Sequence, residues 1–372
     1  MDKNEMFVKD ILNLADIKIN GSNPWDIQLN NNNFYRRVLS DGSLGLGESY
    51  MDGWWNCEDL PELFFKILTA DLEHKVVPLK LLFMVAKSKI FNLQNKVRAA
   101  RDVGYHYNLG NVLFQNMLDK YMTYSCAYWK DANNLEEAQV NKLKLICDKI
   151  YLKPGMTLLD IGCGWGSLMK YAAENYGTKS LGITLSQDQF ELGSKLCKDL
   201  PIEIQIKDYR EVEGKYDRIV SVGMIEHVGS KNYRTFFEIV NKCLKDDGIF
   251  LLHTIGTLNP KTANADPWTN KYIFPNGELP TVQRIAKAAE GLFVMEDWHN
   301  FGMDYAKTSL AWFDNFNCNW EKIKSAQYDD RFYRMWKYFL LTQSGAFRSR
   351  RNNLWQIVYS KRGVMGGYTS IR

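Results

Sequence analysis

Along residues 155–255, short apolar stretches alternate with stretches in which apolar residues recur every three or four positions. The first pattern is typical of buried strands, and the second is typical of helices that pack against them. Strands are predicted at 157–161, 180–185, 202–206, 217–222 and 248–254, and helices at 167–175, 187–198 and 233–244. Short apolar strands between helices indicate a parallel sheet that is covered on both faces.

Two further patterns follow near the end of the chain. Phe332, Met335, Trp336 and Phe339 recur at helical spacing, which predicts a helix whose aromatic stripe packs in a core rather than around a ligand. Residues 354–359 predict a final strand.

The beginning of the chain has a different character. Residues 1–70 are rich in Gly and Asn, which predicts short elements in a small domain. Residues 71–101 carry seven Lys/Arg and two acids, with apolar residues between the cations. Such a segment can lie on an anionic membrane surface, or it can be a solvated helix packed on its own domain. The sequence leaves both interpretations open.

Composition excludes several classes of protein. Hydrophobic residues are 45% and charged residues 24% of the 372, which is typical of a folded globular chain. The 47 basic and 43 acidic residues give a net charge of +4, too even for a protein that coats nucleic acid. Seven cysteines without a CxxC pair predict neither a disulfide scaffold nor a metal site. No leader and no run of about 20 apolar residues is apparent, so a cytoplasmic protein with reduced thiols is expected.

The most informative stretch follows the predicted strand at 157–161. Asp160 leads into Gly162, Gly164 and Gly166, and a predicted helix comes directly after them. This spacing differs from that of dinucleotide sites, and the Lys-Ser/Thr of a P-loop is missing. Glycines let the backbone approach a ligand, and in an open α/β sheet ligands lie beyond the carboxyl ends of the strands. A nucleotide-type cofactor loop is predicted; the alternative is a tight strand-to-helix turn without a ligand.

In this context the stretch resembles the first motif of class I S-adenosylmethionine (SAM) methyltransferases. The resemblance implies an α/β fold with a doubly wound, Rossmann-like sheet of seven mostly parallel strands. It also implies that Asp160 and the three glycines hold SAM. The acidic residue that usually follows the second strand is missing, so Thr184 and Gln189 are the candidates for polar contacts to the cofactor.

Asp208 and Tyr209 follow the third strand and could hold the adenine of SAM. Asp208 could equally be an ordinary cap at the strand end. Tyr124 and Ser125 resemble a pair that contacts the methionine end of the cofactor, and the alternative is that they belong to an aromatic lid.

A narrower resemblance is to the cyclopropane-fatty-acid synthases, which methylate the cis double bond of phospholipid acyl chains. It rests on ordered blocks at 106–111, 121–129, 160–166, 221–229, 252–256, 266–277, 296–302 and 345–348. The blocks cover most of 105–360, and the first ~100 residues resemble the small lipid-contacting domain of the bacterial phospholipid enzymes. Two domains are therefore expected: a small N-terminal lipid-contacting domain at 1–95 and a methyltransferase domain at 96–372.

In that family the catalytic base is taken to be a bound bicarbonate ion. Its ligands correspond here to Cys126, Glu226, His253, the backbone of Ile255, and Tyr305. His, Tyr and amide groups can donate hydrogen bonds to an anion, and a carboxylate can accept the hydrogen of bicarbonate. By residue type alone, each has a structural alternative, such as a buried small thiol, a surface acid or a core histidine.

The resemblance implies an enzyme that takes SAM, bicarbonate and unsaturated phospholipid and that associates peripherally with the inner face of the membrane. A homodimer is compatible with it. Two other hypotheses stay open. One is a related lipid methyltransferase with a methyl-branched or methylene product, and the other is a non-catalytic lipid-binding protein that keeps the fold.

Overall fold

The computed structural model describes residues 3–72, 75, 110–260, 263–325 and 327–372. The chain forms two compact units. The described residues of the first unit are 3–72, 75, 265–275, 305–325 and 327–352. Those of the second are 110–264 apart from 261 and 262, 276–304, and 353–372. The sequence did not indicate that two late segments join the first unit. The expected boundary between 1–95 and 96–372 and most of the basic segment 71–101 lie outside the described residues and stay predictions.

Helices and strands follow one another along the described chain. The helices are α1 (Lys3–Asn13), α2 (Asn33–Asp41), α3 (Ser43–Met51), α4 (Leu60–Thr69), α5 (Asn111–Met117), α6 (Leu135–Lys149), α7 (Ser167–Tyr176), α8 (Gln187–Leu196), α9 (Tyr233–Cys243), α10 (Pro267–Tyr272), α11 (Val282–Ala289), α12 (Met303–Cys318), α13 (Trp320–Ile323) and α14 (Asp330–Arg348). Short 3₁₀ helices are found at Tyr209–Glu211, Ile225–His227 and Ser230–Asn232. The strands are β1 (Gln28–Leu29), β2 (Trp55–Asn56), β3 (Thr157–Ile161), β4 (Lys179–Thr184), β5 (Ile202–Ile206), β6 (Tyr216–Val222), β7 (Leu244–Gly256), β8 (Val294–Asn300) and β9 (Asn353–Ser360).

The first unit is mainly helical, with β1 and β2 forming an antiparallel pair. Its long helix α14 carries the predicted aromatic stripe. Met335, Trp336 and Phe339 are buried, and the ring of Trp336 stacks on Phe332 with centroids 5.8 Å apart. The prediction that this stripe packs in a core is confirmed.

The second unit contains a seven-stranded sheet in the order β5-β4-β3-β6-β7-β9-β8. The first five strands in this order pair in parallel, while β9 pairs antiparallel with both β7 and β8. The consecutive residues Leu158 and Leu159 of β3 belong to different buried clusters, one on each face of the sheet. The expected mostly parallel, doubly wound sheet is therefore confirmed, and β8 is a strand that the apolar pattern did not predict.

Within the described part of the chain, no helix combines the length and apolarity that crossing a bilayer requires.

Candidate active site

The glycine loop joins the carboxyl end of β3 to the first turn of α7. Gly162, Gly164 and Gly166 have φ angles of +87°, +56° and +85°, a region that residues with a Cβ rarely adopt. The amides of Gly162 and Cys163 both donate to the carbonyl of Ile183 on β4 at 3.0 Å. The loop therefore turns sharply at the carboxyl end of β3, and Gly162 and Gly164 line a cavity there.

A cavity lies beyond the carboxyl ends of the parallel strands, where a ligand of an open α/β sheet is expected. Its empty space, which includes open solvent at the mouth, is about 1160 Å³. The predicted cofactor residues that line it are Tyr124, Ser125, Asp160, Gly162, Gly164, Thr184, Gln189, Asp208 and Tyr209. Gly166 is not part of the lining. It directly precedes α7, and an added Cβ would come 2.9 Å from Cys197 Sγ. The lack of a side chain at Gly166 therefore allows this turn to pack closely against Cys197.

The two residues suggested in place of the missing acid are bonded to each other. Thr184 Oγ1 donates to Gln189 Oε1 at 2.7 Å, and the amide of Ser186 donates to the same hydroxyl at 3.1 Å. The side chain of Ser186 caps α8 by accepting from the amide of Gln189. These contacts hold both side chains still at the cavity wall, as a preformed site requires.

The carboxylate of Asp208 is engaged by its own neighbour. Arg210 donates to both of its oxygens at 2.7 Å, and the amide of Arg210 donates at 2.9 Å. The capping geometry is thus present, while the role of Asp208 toward adenine stays a prediction. Tyr209 packs edge-on against Phe236 and keeps a partly buried ring at the cavity.

The sequence pattern did not single out Lys142, which lines the cavity from the buried face of α6. Its Nζ donates to Ser125 Oγ at 2.8 Å. Burial lowers the pKa of Lys142 to about 8, against the opposing charges of Asp119, Cys126 and Asp160. A lysine at a core position of an amphipathic helix was the signal that could have identified it.

Asp160 is the acidic counterpart of Lys142 in the cavity. Burial raises its pKa to about 7, and the positive charge of Lys142 limits the rise. Its Oδ1 is buried and has no hydrogen-bond partner among the described residues. The cavity wall therefore holds a buried cation, Lys142, beside a buried acid, Asp160, one oxygen of which has no hydrogen-bond partner among the described residues.

Glu226 and Ile255 lie next to each other at the carboxyl ends of β6 and β7. Oε1 of Glu226, in the 3₁₀ helix after β6, accepts the amide hydrogen of Ile255 on β7 at 2.7 Å. Oε2 is buried without a partner in the described part of the chain. Burial raises the pKa of Glu226 to about 7, although hydrogen bonds from backbone amides, including that of Ile255, oppose the shift.

His253 lies two residues before Ile255 on the same strand and is 1% exposed. Its Nδ1 is 3.2 Å from Nε2 of Gln356, and its own Nε2 has no partner among the residues described. Burial and the positive charges of Lys142 and Lys149 hold the pKa of His253 well below its usual 6.5. The imidazole is therefore neutral at physiological pH.

The remaining two predicted catalytic residues are in different units. Cys126 is fully buried in the second unit, and its thiol donates to the carbonyl of Ala127 at 3.2 Å. No cation follows it in the sequence, but the fold lets the charge of Lys142 interact with it. Tyr305 belongs to the first unit, where its ring lies 4.5 Å from that of Phe347. Four of the five predicted residues are thus in one unit.

The sheet order, the glycine turn and the cavity at the carboxyl ends match the fold of the class I SAM-dependent methyltransferases. Two solved structures share this fold and clear sequence identity. The cyclopropane synthase MmaA2 from Mycobacterium tuberculosis is 30% identical, with a TM-score of 0.67 over 73% of this chain and 100% of its own. The mycolic acid cyclopropane synthase CmaA1, solved as a complex with SAH and CTAB, is 32% identical, with a TM-score of 0.65 over 70% and 98%.

The sequence comparisons are more specific. Residues 94–357 match the family described as mycolic acid cyclopropane synthetase. The cyclopropane-fatty-acyl-phospholipid synthase of Escherichia coli (strain K12) is 53% identical over 359 residues, which is 96% of this chain and 93% of that protein. The chain belongs to the mycolic acid cyclopropane synthetase family, and it is a SAM-dependent methyltransferase.

Proposed function

We propose that the protein is a cyclopropane-fatty-acyl-phospholipid synthase, which transfers the methyl carbon of SAM to the cis double bond of an unsaturated phospholipid acyl chain. The 53% identity to the Escherichia coli enzyme over 96% of the chain carries this proposal. That similarity extends well beyond the 94–357 segment of the family and includes most of the first 93 residues, where the lipid-contacting domain is expected.

The residues at the cavity fit SAM. Its methionine end carries both an ammonium and a carboxylate, and the cavity offers Asp160 and Lys142 as charges of opposite sign. Tyr124 and Ser125 would contact the same end. The other proposed ligands, Gly162, Gly164, Thr184, Gln189, Asp208 and Tyr209, would hold the nucleoside, with Gly166 closing the turn beneath it. Bound SAM supplies an electrophilic methyl group.

The substrate explains the other demands on the site. An isolated double bond is a weak nucleophile, and after it has taken the methyl group the acyl chain is a carbocation. Loss of one proton from the added methyl closes the three-membered ring. Water would trap the cation as an alcohol, so the site must be dry. Buried aromatic rings suit both demands, because they exclude water and their faces stabilise positive charge.

The proton acceptor is proposed to be a bound bicarbonate ion, and two buried atoms fit it. His253 Nε2 and Glu226 Oε2 both have no partner in the described residues. His253 would donate to an oxygen of the ion, and Glu226 would accept its hydrogen. The positive charges of Lys142 and Lys149, which lower the pKa of His253, also favour an anion beside it. Bound bicarbonate supplies the basic oxygen.

The other three proposed ligands, Ile255, Cys126 and Tyr305, would each contact the ion in a different way. The amide of Ile255 already donates to Glu226, so it would reach the ion through a shared hydrogen bond or after Glu226 releases it. Cys126 would contribute a weak donor from the wall of the site. Tyr305 would donate its hydroxyl hydrogen.

We further propose that the enzyme works in the cytoplasm as a peripheral protein on the inner face of the membrane, where its phospholipid is found, and that it forms a homodimer. The basic segment 71–101 supports the membrane association. Binding to anionic vesicles should then weaken as salt is added. Vesicle binding that is unchanged in high salt would contradict an electrostatic contribution.

The decisive experiment is mass spectrometry of phospholipid after incubation of the pure protein with SAM and vesicles that contain a cis-monounsaturated chain. The proposal expects a gain of ~14 Da, cyclopropane signals in place of olefinic ones, and a rate that falls in bicarbonate-depleted buffer. His253→Ala should abolish the gain, whereas Glu191→Gln, an exposed change on α8, should not. Olefinic or branched-methyl signals would indicate the alternative product. Absence of any gain while SAM still binds would overturn the enzymatic proposal.

A further inference from the structure

His253, Gln356 and His299 form one row across three antiparallel strands. In the sheet register, His253 of β7 faces Gln356 of β9, and Gln356 faces His299 of β8. Directly paired residues of neighbouring strands project their side chains on the same face of the sheet. Gln356 is thus placed between two histidines, although it is not one of the proposed bicarbonate ligands.

The contact within this row determines where the hydrogen of His253 lies. Nε2 of Gln356 is 3.2 Å from Nδ1 of His253, and both residues are buried. An amide nitrogen has only hydrogens to offer, so Nδ1 must be the acceptor. Because the buried imidazole is neutral, its single hydrogen is then on Nε2.

The orientation of the amide group follows from the same surroundings. Oε1 of Gln356 is buried and has no partner among the described residues. If the amide were turned round, its NH₂ group would occupy that position and would lack an acceptor. Buried donors without partners are rarer in proteins than buried carbonyls without them. The orientation that donates to His253 is therefore favoured.

Lys149 constrains the other histidine in the same way. Its Nζ lies 3.1 Å from Nδ1 of His299, and a lysine nitrogen carries hydrogens whether or not it is charged. When Lys149 is charged it can only donate, so His299 then accepts at Nδ1 and carries its hydrogen on Nε2. With Gln356 in the favoured orientation, His253 cannot exchange tautomers without losing its buried hydrogen bond.

We propose that Gln356 is a positioning residue that fixes His253 in the tautomer with the hydrogen on Nε2, so that this hydrogen can be donated to the catalytic anion. The inference rests on the proposed role of His253 as a bicarbonate ligand. With the hydrogen on Nδ1 instead, Nε2 would present a lone pair to the anion, and the contact would be repulsive.

The tautomer can be measured on the full-length protein in the absence of SAM and bicarbonate. Uniform ¹⁵N labelling of histidine and a long-range ¹H–¹⁵N correlation spectrum distinguish a protonated from an unprotonated ring nitrogen. His253 is assigned as the signal that disappears in His253→Gln. The expected spectrum has an unprotonated Nδ1 and a protonated Nε2. A protonated Nδ1 in the native protein would overturn the proposal.

Two substitutions of Gln356 test whether its side chain sets the tautomer of His253. In Gln356→Glu the ionised carboxylate faces Nδ1 and can only accept, so in spectra recorded at alkaline pH, where this buried carboxyl group is ionised, the two nitrogen signals should exchange character. Gln356→Met keeps the length of the side chain but cannot bond, so both tautomers should be populated. Ser360→Ala on the same strand is the control and should leave His253 unchanged. Thermal unfolding of each variant checks that it has folded. An unchanged His253 spectrum in folded Gln356→Glu at alkaline pH would refute the assignment.

A bicarbonate titration of turnover links the tautomer to the reaction. The concentration of bicarbonate that gives half-maximal rate should rise about 10- to 100-fold in Gln356→Glu, the effect of losing one hydrogen bond to a charged group. The KM for SAM should stay within about twofold. A switched tautomer with an unchanged bicarbonate response would overturn the link to the anion. If the native protein has no methyl-transfer activity, the proposed function fails while the NMR result for Gln356 is unaffected.

Discussion

Oε1 of Glu226 accepts the backbone amide hydrogen of Ile255 at 2.7 Å. The bond ties a buried carboxyl group to the strand that carries His253, and it leaves Oε2 as the oxygen without a partner in the described residues. A buried carboxyl group that is fixed by one oxygen and open at the other is suited to orient a small anion that carries one hydrogen. The same burial makes the group sensitive to pH near neutrality, which leads to the first prediction.

Replacing Glu226 should change how stability depends on pH. Burial raises the pKa of Glu226 from 4.5 to about 7. Between these values the folded protein binds more protons than the unfolded chain, so stability falls as pH rises through this window. Glu226→Gln cannot ionise and should gain about 2–3 kcal/mol relative to the native protein between pH 4.5 and 8. Urea unfolding at several pH values measures this.

The exposed Glu191→Gln is the control for that measurement, because it removes a surface carboxyl group of α8 and leaves the buried site unchanged. A difference for Glu226→Gln that does not change with pH would mean that the carboxyl group of Glu226 is already ionised at pH 5 in the folded protein.

Lys142→Met should weaken cofactor binding. The substitution removes the buried cation that bonds Ser125 Oγ at the cavity wall, while keeping most of the side-chain volume. Loss of a hydrogen bond to a charged group changes affinity by about tenfold or more. Isothermal titration with S-adenosylhomocysteine measures the effect. Lys144→Met, two residues on and solvent-exposed, is the matched control and should bind normally. Equal affinities for the two variants would exclude Lys142 from the cofactor site.

Gly162→Ala should cost both stability and cofactor binding. At φ +87° an alanine is strained by about 1–2 kcal/mol, and its Cβ would lie 2.8 Å from side-chain atoms of Met224. Gly155 has a similar φ of +81° but no atom within 4 Å of an added Cβ, so Gly155→Ala measures the strain alone. Calorimetric Tm and S-adenosylhomocysteine affinity should separate the two variants. Identical losses would show that Met224 moves aside at little cost.

Arg372→Met should destabilise the fold more than the loss of an exposed arginine does. Arg372 donates to both oxygens of the buried Asp297 at 2.6 and 2.7 Å, and Lys149 lies 3.7 Å from the same carboxylate. Burial alone would raise the pKa of Asp297, but Arg372 and Lys149 hold it below 3.8. The expected loss is about 1–2 kcal/mol.

That loss should shrink as pH falls below 3.8, because the protonated carboxyl no longer needs a cation. Arg362→Met, which removes an exposed pair with Asp246, is the comparison and should cost less stability than Arg372→Met. Equal losses at neutral pH would mean that Lys149 and Ser370, whose hydroxyl donates to Asp297 at 3.0 Å, are sufficient to stabilise this carboxylate.

The parallel strands, the helices between them and the glycine turn follow from the sequence alone, because each depends on a local pattern. Strand β3 is a short, largely apolar run that is buried along most of its length, and Gly162 to Gly166 adopt backbone angles that favour glycine. Strand β8 escaped prediction because Glu296, Asp297 and His299 interrupt its apolar residues. It exists because β9, more than 50 residues later, supplies its hydrogen-bond partners.

The chemistry of the site, in contrast, depends on how distant parts of the chain come together. Lys142 bonds Ser125 across 17 positions, and Gln356 meets His253 across 103, through the register of two antiparallel strands. The pKa values of Glu226 and Asp160 reach about 7 because folding removes water from them, which no local pattern records. Residue type names the groups that can react, whereas burial and long-range pairing fix their charge, tautomer and orientation.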